Sequence, residues 1–524
     1  MATDNKKEQE RGNLHQTIWR IANDLRGSVD GWDFKQYVLG MLFYRFISEN
    51  LSQYINGVQF EAGEKDFDYA GLSDAAAKNG REDILTTKGF FIYPSELFAN
   101  VRRNASNDAN LNETLERVFT NIENSAAGTD SESDMKDLFD DIDVNSNKLG
   151  ATVAKRNELL AKLMNAIGDL ELGNYGDNTI DVFGDAYEYL MTMYAANAGK
   201  SGGEFFTPQE VSELLTKIAV VGKTEVNKVY DPACGSGSLL LKFAKILGKD
   251  NVRNGFYGQE SNITTYNLCR INMFLHDINY ENFDIAHGDT LLEPKHWDDE
   301  PFEAIVSNPP YSIHWDGDGN PILINDERFT PAGILAPKSK ADLAFIMHSL
   351  SWLATNGTAA IVCFPGIMYR GGAEQKIRKY LIDNNFVDAV IQLPPDLFFG
   401  TTIATSVLVL KKNKSENKTL FIDASAEFVR GSAKNKLSAA NIEKILAAFI
   451  ERKDSEYFAR LVDNSEIAGH DYNISVSTYV AQKDTREAVD IMELNARIAQ
   501  IVARENTLRT EIDAIIADIE DGAK

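Results

Sequence analysis

Residues Val229 to Gly237 read VYDPACGSG, an apolar strand that ends in an acid and a Gly-rich turn, and the helical pattern SLLLKFAKIL follows from Ser238 to Leu247. Gly235 and Gly237 let the backbone approach a ligand closely at the carboxyl end of a strand, where open α/β sheets bind cofactors. Alone, such a turn is also compatible with a purely structural role. It is neither the G-x-G-x-x-G of dinucleotide enzymes nor a P-loop, since no Gly-Lys-Ser/Thr follows.

From about Asn227 onward, short runs rich in Val, Ile and Phe alternate with helical stretches. The strands expected are Lys228 to Tyr230, Gly255 to Gly258, Phe283 to Ala286, Phe302 to Val306, Thr358 to Phe364 and Phe386 to Gln392. The helices expected between them are Ser238 to Leu247, Asn262 to Leu275, Ala341 to Leu353 and Ala373 to Asn384. That alternation predicts parallel strands with right-handed crossovers, hence a doubly wound α/β domain. Two further runs, Ile403 to Leu410 and Thr419 to Ile422, flank the polar turn KKNKSENK and predict a terminal hairpin.

The ends of the predicted strands carry the chemistry. The first ends in Asp231, the second in Gln259 and Glu260, the third in Gly288 and Asp289. An acid at the tip of the second strand, roughly 20 residues after a Gly-rich turn, is where ribose hydroxyls are held. The fourth strand, FEAIVS, ends in Asn308, Pro309, Pro310 and Tyr311. Asn308 offers a side-chain carbonyl, Pro309 has a free carbonyl and no N–H, and the Pro-Pro pair fixes the loop's direction. Two acceptors side by side suit a planar amino group, whose nitrogen becomes more available for attack. Tyr311 adds a flat face on which a base can stack. Upstream, GGEFFTPQE at Gly202 to Glu210 predicts a capping box, with Thr207 as N-cap, Pro208 at the first helical position and Glu210 three residues after the cap. That leaves Phe205 and Phe206, which suit an adenine-sized pocket.

The rest of the chain is of different character. The first ~200 residues read as helical, with Ile18, Ile21, Ala22 and Leu25 at helical spacing, then Tyr37 to Ile47, Thr152 to Leu170 and Ile180 to Ala195. Between them Asn121 to Asn145 carries Glu123, Asp130, Glu132, Asp134, Asp137, Asp140, Asp141 and Asp143 against Lys136 alone, which predicts a solvated or mobile connector. Near the C-terminus Ile491, Leu494, Ile498, Ile501, Glu505, Leu508, Ile512, Ile515 and Ile519 form a heptad seam. Such a seam needs a partner helix, either the chain's own N-terminal helices or another subunit. The organisation expected is a helical domain at 1–197, a catalytic domain at 198–480 and a coiled-coil-like assembly helix at 481–524.

In this order GEFFTP, DPACGSG, GQE, GD and NPPY resemble the motif set of the S-adenosylmethionine-dependent N6-adenine DNA methyltransferases. The resemblance runs from about Lys200 to Leu410 through these motifs. The flanks IWRIANDLRGSVDGWDFKQYVLGMLFYRFIS and LFFGTTIATSVLVLKK and the long C-terminal helix are similar to the modification subunit of type I restriction-modification enzymes. NPPY alone is shared with glutamine methyltransferases that modify protein. The resemblance implies that Glu204, Phe205, Phe206, Thr207, Pro208 and Gln209, with Asp231, Gly235, Ser236, Gly237 and Ser238, line the cofactor site. It further implies that Glu260 holds the ribose, Asp289 the cofactor adenine, and Asn308 with Pro309 the target amino group. Tyr311 then stacks on a flipped adenine, with Phe398 or Phe399 on its other face. Partners implied are DNA, a specificity subunit bound by two copies of this chain, and a separate ATP-dependent restriction subunit. Competing readings are a glutamine N5-methyltransferase, which FFTP and the chain length disfavour, and an inactive scaffold, which the intact motifs disfavour.

Composition agrees with dependence on partners. The 524 residues hold 53 Lys+Arg against 78 Asp+Glu, a net charge of −25, although affinity for nucleic acid rests largely on cations. Much of the excess lies outside the catalytic stretch: beside the segment above, ten acids oppose four bases between Asp484 and Asp521. The chain alone is therefore expected to bind DNA poorly. Cys234, Cys269 and Cys363 form no disulfide or zinc pattern, and the N-terminus has no apolar leader, so a reducing cytoplasm is expected. No metal is expected: His276, His287, His296 and His314 are scattered, and the calcium-like spacing Asp316, Asp318, Asn320, Glu327 has Pro321 where a sharp turn is needed. Trp315 to Pro337 reads instead as a mobile loop beside the site, and Lys411, Lys412, Lys414 and Lys418 as a basic hairpin tip, either simply solvated or open to DNA phosphates.

Overall fold

The computed structural model describes residues 12, 14–16, 18, 31–170, 182–197, 207–399, 401–431, 434–482 and 491–522. Ile21, Ala22, Leu25, Gly202, Gly203, Glu204, Phe205 and Phe206 lie outside the described residues. Residues 1–480 form one compact unit and 481–524 a second.

The first unit is built on a nine-stranded sheet of order β11-β8-β6-β7-β5-β4-β1-β2-β3. The strands are β1 (Val229–Asp231), β2 (Phe256–Glu260), β3 (Phe283–His287), β4 (Phe302–Ser307), β5 (Leu353–Cys363), β6 (Val387–Gln392), β7 (Ser406–Leu410), β8 (Lys418–Asp423) and β11 (Ala459–Asp463). A separate two-stranded ribbon pairs β9 (Val429–Arg430) with β10 (Asn435–Lys436). Strand β1 is parallel to both β2 and β4, so chain order reverses at β1. A crevice opens at such a switch point above the strand carboxyl ends. The strands are Val/Ile-rich and buried on both faces, as a sheet covered on both sides requires.

The α/β reading holds, with one correction to the topology. β7 and β8 are not a hairpin: β7 inserts antiparallel between β5 and β6, while β8 lies on the far side of β6, parallel to it. Val407 to Leu410 of β7 and Leu420 to Ile422 of β8 are apolar and buried, and each strand takes a partner on either side. The polar link between them crosses the start of β6, where Lys414 Nζ donates to the Val387 and Lys418 carbonyls and to Asn385 Oδ1. Burial lowers that amine to about 8. Lys411 pairs with Asp388 at 3.0 Å and Lys412 donates to the Ser351 carbonyl. These lysines close the sheet's lower rim, opposite the crevice, and are not a basic tip.

The acidic segment is not a solvated connector either. Met135, Leu138, Phe139, Ile142 and Val144, set among the acids, are buried, and Phe139 stacks on Phe119 at 4.4 Å. Ile142 packs so tightly on the helix Gly31–Glu61 that a Cβ at Gly40 would lie 1.8 Å from its Cδ1. Buried Arg270, on the helix Ile263–Leu275, donates to the carbonyls of Ser133, Asp134 and Lys136. Apolar spacing outweighs charge count here: the five apolar side chains pack inward, and of the eight acids only Asp134 is buried with them.

The stretch Trp315 to Pro337 is likewise anchored. Trp315, Leu323 and Phe329 are buried in the second core, and the buried Arg328 guanidinium donates to the carbonyls of Thr290 and Leu291 while pairing with Asp326 at 2.7 Å. In the second unit the helix Ile491–Gly522 exposes Ile498, Ile501, Leu508, Ile512 and Ile515 of the heptad seam. Among the described residues no helix is long and apolar enough to cross a membrane.

Candidate active site

The four leading strand ends converge on a cavity of about 380 Å³, within the range of small-molecule sites. Pro232 and Ala233 after β1, Glu260 after β2, Gly288 and Asp289 after β3, and Asn308, Pro310 and Tyr311 after β4 line it together.

Gly237 has φ +77° and caps the helix Ser238–Leu247; a Cβ there would sit 2.7 Å from Cys269 Sγ, so only glycine fits. Gly235, at φ +54°, donates its N–H to Glu260 Oε2 at 3.1 Å, and Asn262 N donates to Oε1 at 2.8 Å. Glu260 thus ties the Gly-rich turn to the loop after β2. Burial raises its pKa, and those amides oppose the rise. Asp231 is fully buried and accepts from Ala233 N, and burial lifts it to about 7. Its place is under the turn, as a support, not on the cavity wall. Ser236 and Ser238 are buried beside it. Asp289, exposed, accepts from the amides of Leu291 and Leu292 in an Asx turn.

Asn308 is clamped at both ends of its amide. Nδ2 donates to Thr207 Oγ1 at 3.1 Å, and Oδ1 accepts the Tyr311 hydroxyl at 2.6 Å. Burial raises the Tyr311 pKa, which keeps the phenol a neutral donor. The chain turns sharply after it: Ser312 has φ +53°, and its N–H donates to Asp342.

Thr207 corrects the capping-box reading. The helix Gln209–Ala219 is capped by Pro208, whose carbonyl accepts from Val211 and Ser212 amides, so Thr207 lies outside the helix with its hydroxyl turned to Asn308. Glu210 is in the first turn without a reciprocal cap bond. Of the aromatic doublet, Phe398 is buried in the main core, whereas Phe399 is half-buried on its surface.

Trp315, expected in a loop beside the site, lines the cavity; sequence reasoning missed Thr265 and Phe345 as cavity walls and Asp342 as the anchor of the NPPY turn. KADLAF around Asp342 carries no local signal for a contact made across 30 residues. Among the described residues Asp284, His296 and Asp299 come within 4.8 Å of one another. His296 Nδ1 pairs with Asp299 at 3.2 Å, its other nitrogen bonds the Gly258 carbonyl, and Lys228 stands 3.9 Å from Asp299, so the group is accounted for as an ion-pair cluster.

This architecture has close counterparts. The N-6 DNA Methylase family matches residues 178–488, and the HsdM N-terminal domain matches residues 14–167. The chain is 51% identical to the type I restriction enzyme MpnII methylase subunit of Mycoplasma pneumoniae, over 98% of each chain. It is 29% identical to the MjaVII methylase subunit of Methanocaldococcus jannaschii, over 98% of this chain and 85% of that one. Among solved structures, the type I restriction-modification system methyltransferase subunit from Streptococcus thermophilus superposes with a TM-score of 0.81 at 36% identity, covering 90% of this chain and 99% of that chain. The chain belongs to the N-6 DNA methylases, within the methylase subunits of type I restriction enzymes.

Proposed function

We propose that the cavity binds S-adenosylmethionine and that Asn308 presents the N6 amino group of a flipped adenine to it, in DNA whose sequence a separate specificity subunit reads. One observation carries the reading: Asn308, at the end of β4, faces a cavity whose other walls bear Glu260 and Asp289. The donor set fits the cofactor, since a half-buried carboxylate at the tip of β2 is a ribose ligand and Asp289 flanks the same opening. When bound, S-adenosylmethionine would supply a sulfonium methyl group for N6 and leave as the neutral thioether, the displaced N6 proton passing to solvent.

The chain's residues do the positioning. Thr207 fixes the Asn308 amide so that Oδ1 faces the cavity, and the Tyr311 hydroxyl holds that acceptor until the target amino group replaces it. Neutral acceptors at Asn308 and the Pro309 carbonyl orient the amino hydrogens without prior deprotonation, and alignment supplies much of the acceleration. Tyr311 then stacks on one face of the base and Phe399 on the other. Phe398, packed in the core, is unsuited to that role. The exposed heptad seam docks to the specificity subunit, two copies of this chain serve one such subunit, and an ATP-dependent subunit completes restriction.

Incubating the chain and a cognate specificity subunit with DNA and methyl-labelled cofactor tests this reading. Label recovered as N6-methyladenine supports it; label recovered in protein glutamine instead overturns it.

A further inference from the structure

The small ribbon of β9 and β10 has no place in the main sheet, yet it is bonded densely to one loop. Buried Asn435 donates its backbone N–H to the Asp396 carbonyl and its Nδ2 to the Pro395 carbonyl, both at 2.9 Å, and its Oδ1 accepts from Arg430 Nη1 at 3.2 Å. Lys434 Nζ donates to Asp396 Oδ1 at 2.7 Å and to the Thr401 carbonyl at 3.1 Å. Two consecutive residues therefore grip both ends of the loop that carries Phe398 and Phe399. Asp396 sits at φ +60°, in the left-handed region that residues with a Cβ seldom adopt, and the bonds from Lys434 and Asn435 fall on that residue. Lys436 on the ribbon and the Leu437 amide beyond it oppose the burial that raises the Glu210 pKa, in the first turn after Thr207.

We infer that Lys434 and Asn435 are positioning residues for methyl transfer. They set the height and tilt of Phe399 against the target base while Thr207 orients Asn308 on the other side. The inference rests on the base-stacking reading of Phe399 given above. Neither residue touches the reacting atoms, so their effect passes through Phe399.

The test is a mutant cycle in the full complex with its specificity subunit, scoring kcat, KM for cofactor and thermal melting. Lys434→Met and Asn435→Ala are expected to lower kcat about tenfold, within the range for a misplaced base–aromatic stack, and to leave KM for cofactor unchanged. Lys434→Arg, which keeps the donors, restores the rate. The double variant Phe399→Ala with Asn435→Ala is no slower than Phe399→Ala alone. Fully multiplicative losses, or unaltered kcat in Lys434→Met and Asn435→Ala while Phe399→Ala is slow, would overturn the inference alone. Unaltered kcat in Phe399→Ala would overturn the stacking reading itself, and this inference with it. Lys434 is partly exposed, so its variants remain informative if Asn435→Ala fails to fold.

Discussion

The two halves of the sheet build the site by opposite means. In the half formed by β1 to β5 cavity-lining groups are polar, and backbone amides of neighbouring turns hold them: Glu260 by Gly235 and Asn262, Asp289 by Leu291 and Leu292. In the half formed by β6, β7, β8 and β11 the proposed contribution is an aromatic loop, held by the buried Phe398 and by the ribbon. The first half shapes its site within the strand tips themselves; the second borrows its support from residues far along the chain. Substitutions should therefore separate cleanly, with losses of binding in the first half and losses of stability or stacking in the second.

The largest effect that sharpens this contrast is on Phe398. Phe398→Ala empties a core position and should cost about 3–5 kcal/mol of unfolding free energy in a denaturant titration. Phe399→Ala, one residue on, should leave stability within about 1 kcal/mol and slow methylation by roughly 10- to 100-fold. Equal effects of the two on stability would break the distinction between loop and core. Next, Glu260→Gln should weaken cofactor binding by roughly tenfold in calorimetry, since the single amide oxygen can accept from Gly235 N or from Asn262 N but not from both, and the charge-assisted bonds to ribose are lost.

The smallest effect belongs to the flank of the first half, where the N-terminal helices meet it. Burial, with Asp284 adding to it and Arg270 opposing it, lifts Asp134 to about 7 from an ordinary 3.8. The folded state binds this proton more tightly than the unfolded state, so the group's stabilising contribution is full below about pH 4 and is lost as pH rises to about 7. Asp134→Asn should accordingly raise stability at pH 8 more than at pH 5, by on the order of 1 kcal/mol. A larger gain at pH 5 would contradict the burial of that carboxyl.

The same contrast explains what was legible in the sequence. Every strand of the first half was visible, because each ends in a Gly-, Pro- or acid-bearing turn next to its own apolar run, and the site residues Glu260, Asp289 and Asn308 sit at those ends. In the second half β7 and β8 were visible as strands but their pairing was not. Adjacency along the chain favours a hairpin, and nothing local in SVLVL records that β5 and β6 flank it. β11 was missed because ARLVD is short and half polar. Thr207 was read through the strongest local rule available, helix capping, when its hydroxyl in fact serves a partner 101 residues away. The acidic segment was misjudged for a related reason: a charge count ignores that Met135, Leu138, Phe139 and Ile142 return to one face.

The proposed methyl transfer depends on Asn308 as the residue that presents adenine N6. Its most direct test is transfer of labelled methyl to DNA by the complex carrying Asn308→Ala, with cofactor binding measured on the same preparation. Removing the one side-chain acceptor at the reacting amino group should lower transfer by at least about 10²-fold while cofactor affinity changes less than about threefold. Methylation within a few-fold of the unaltered complex would contradict the assignment.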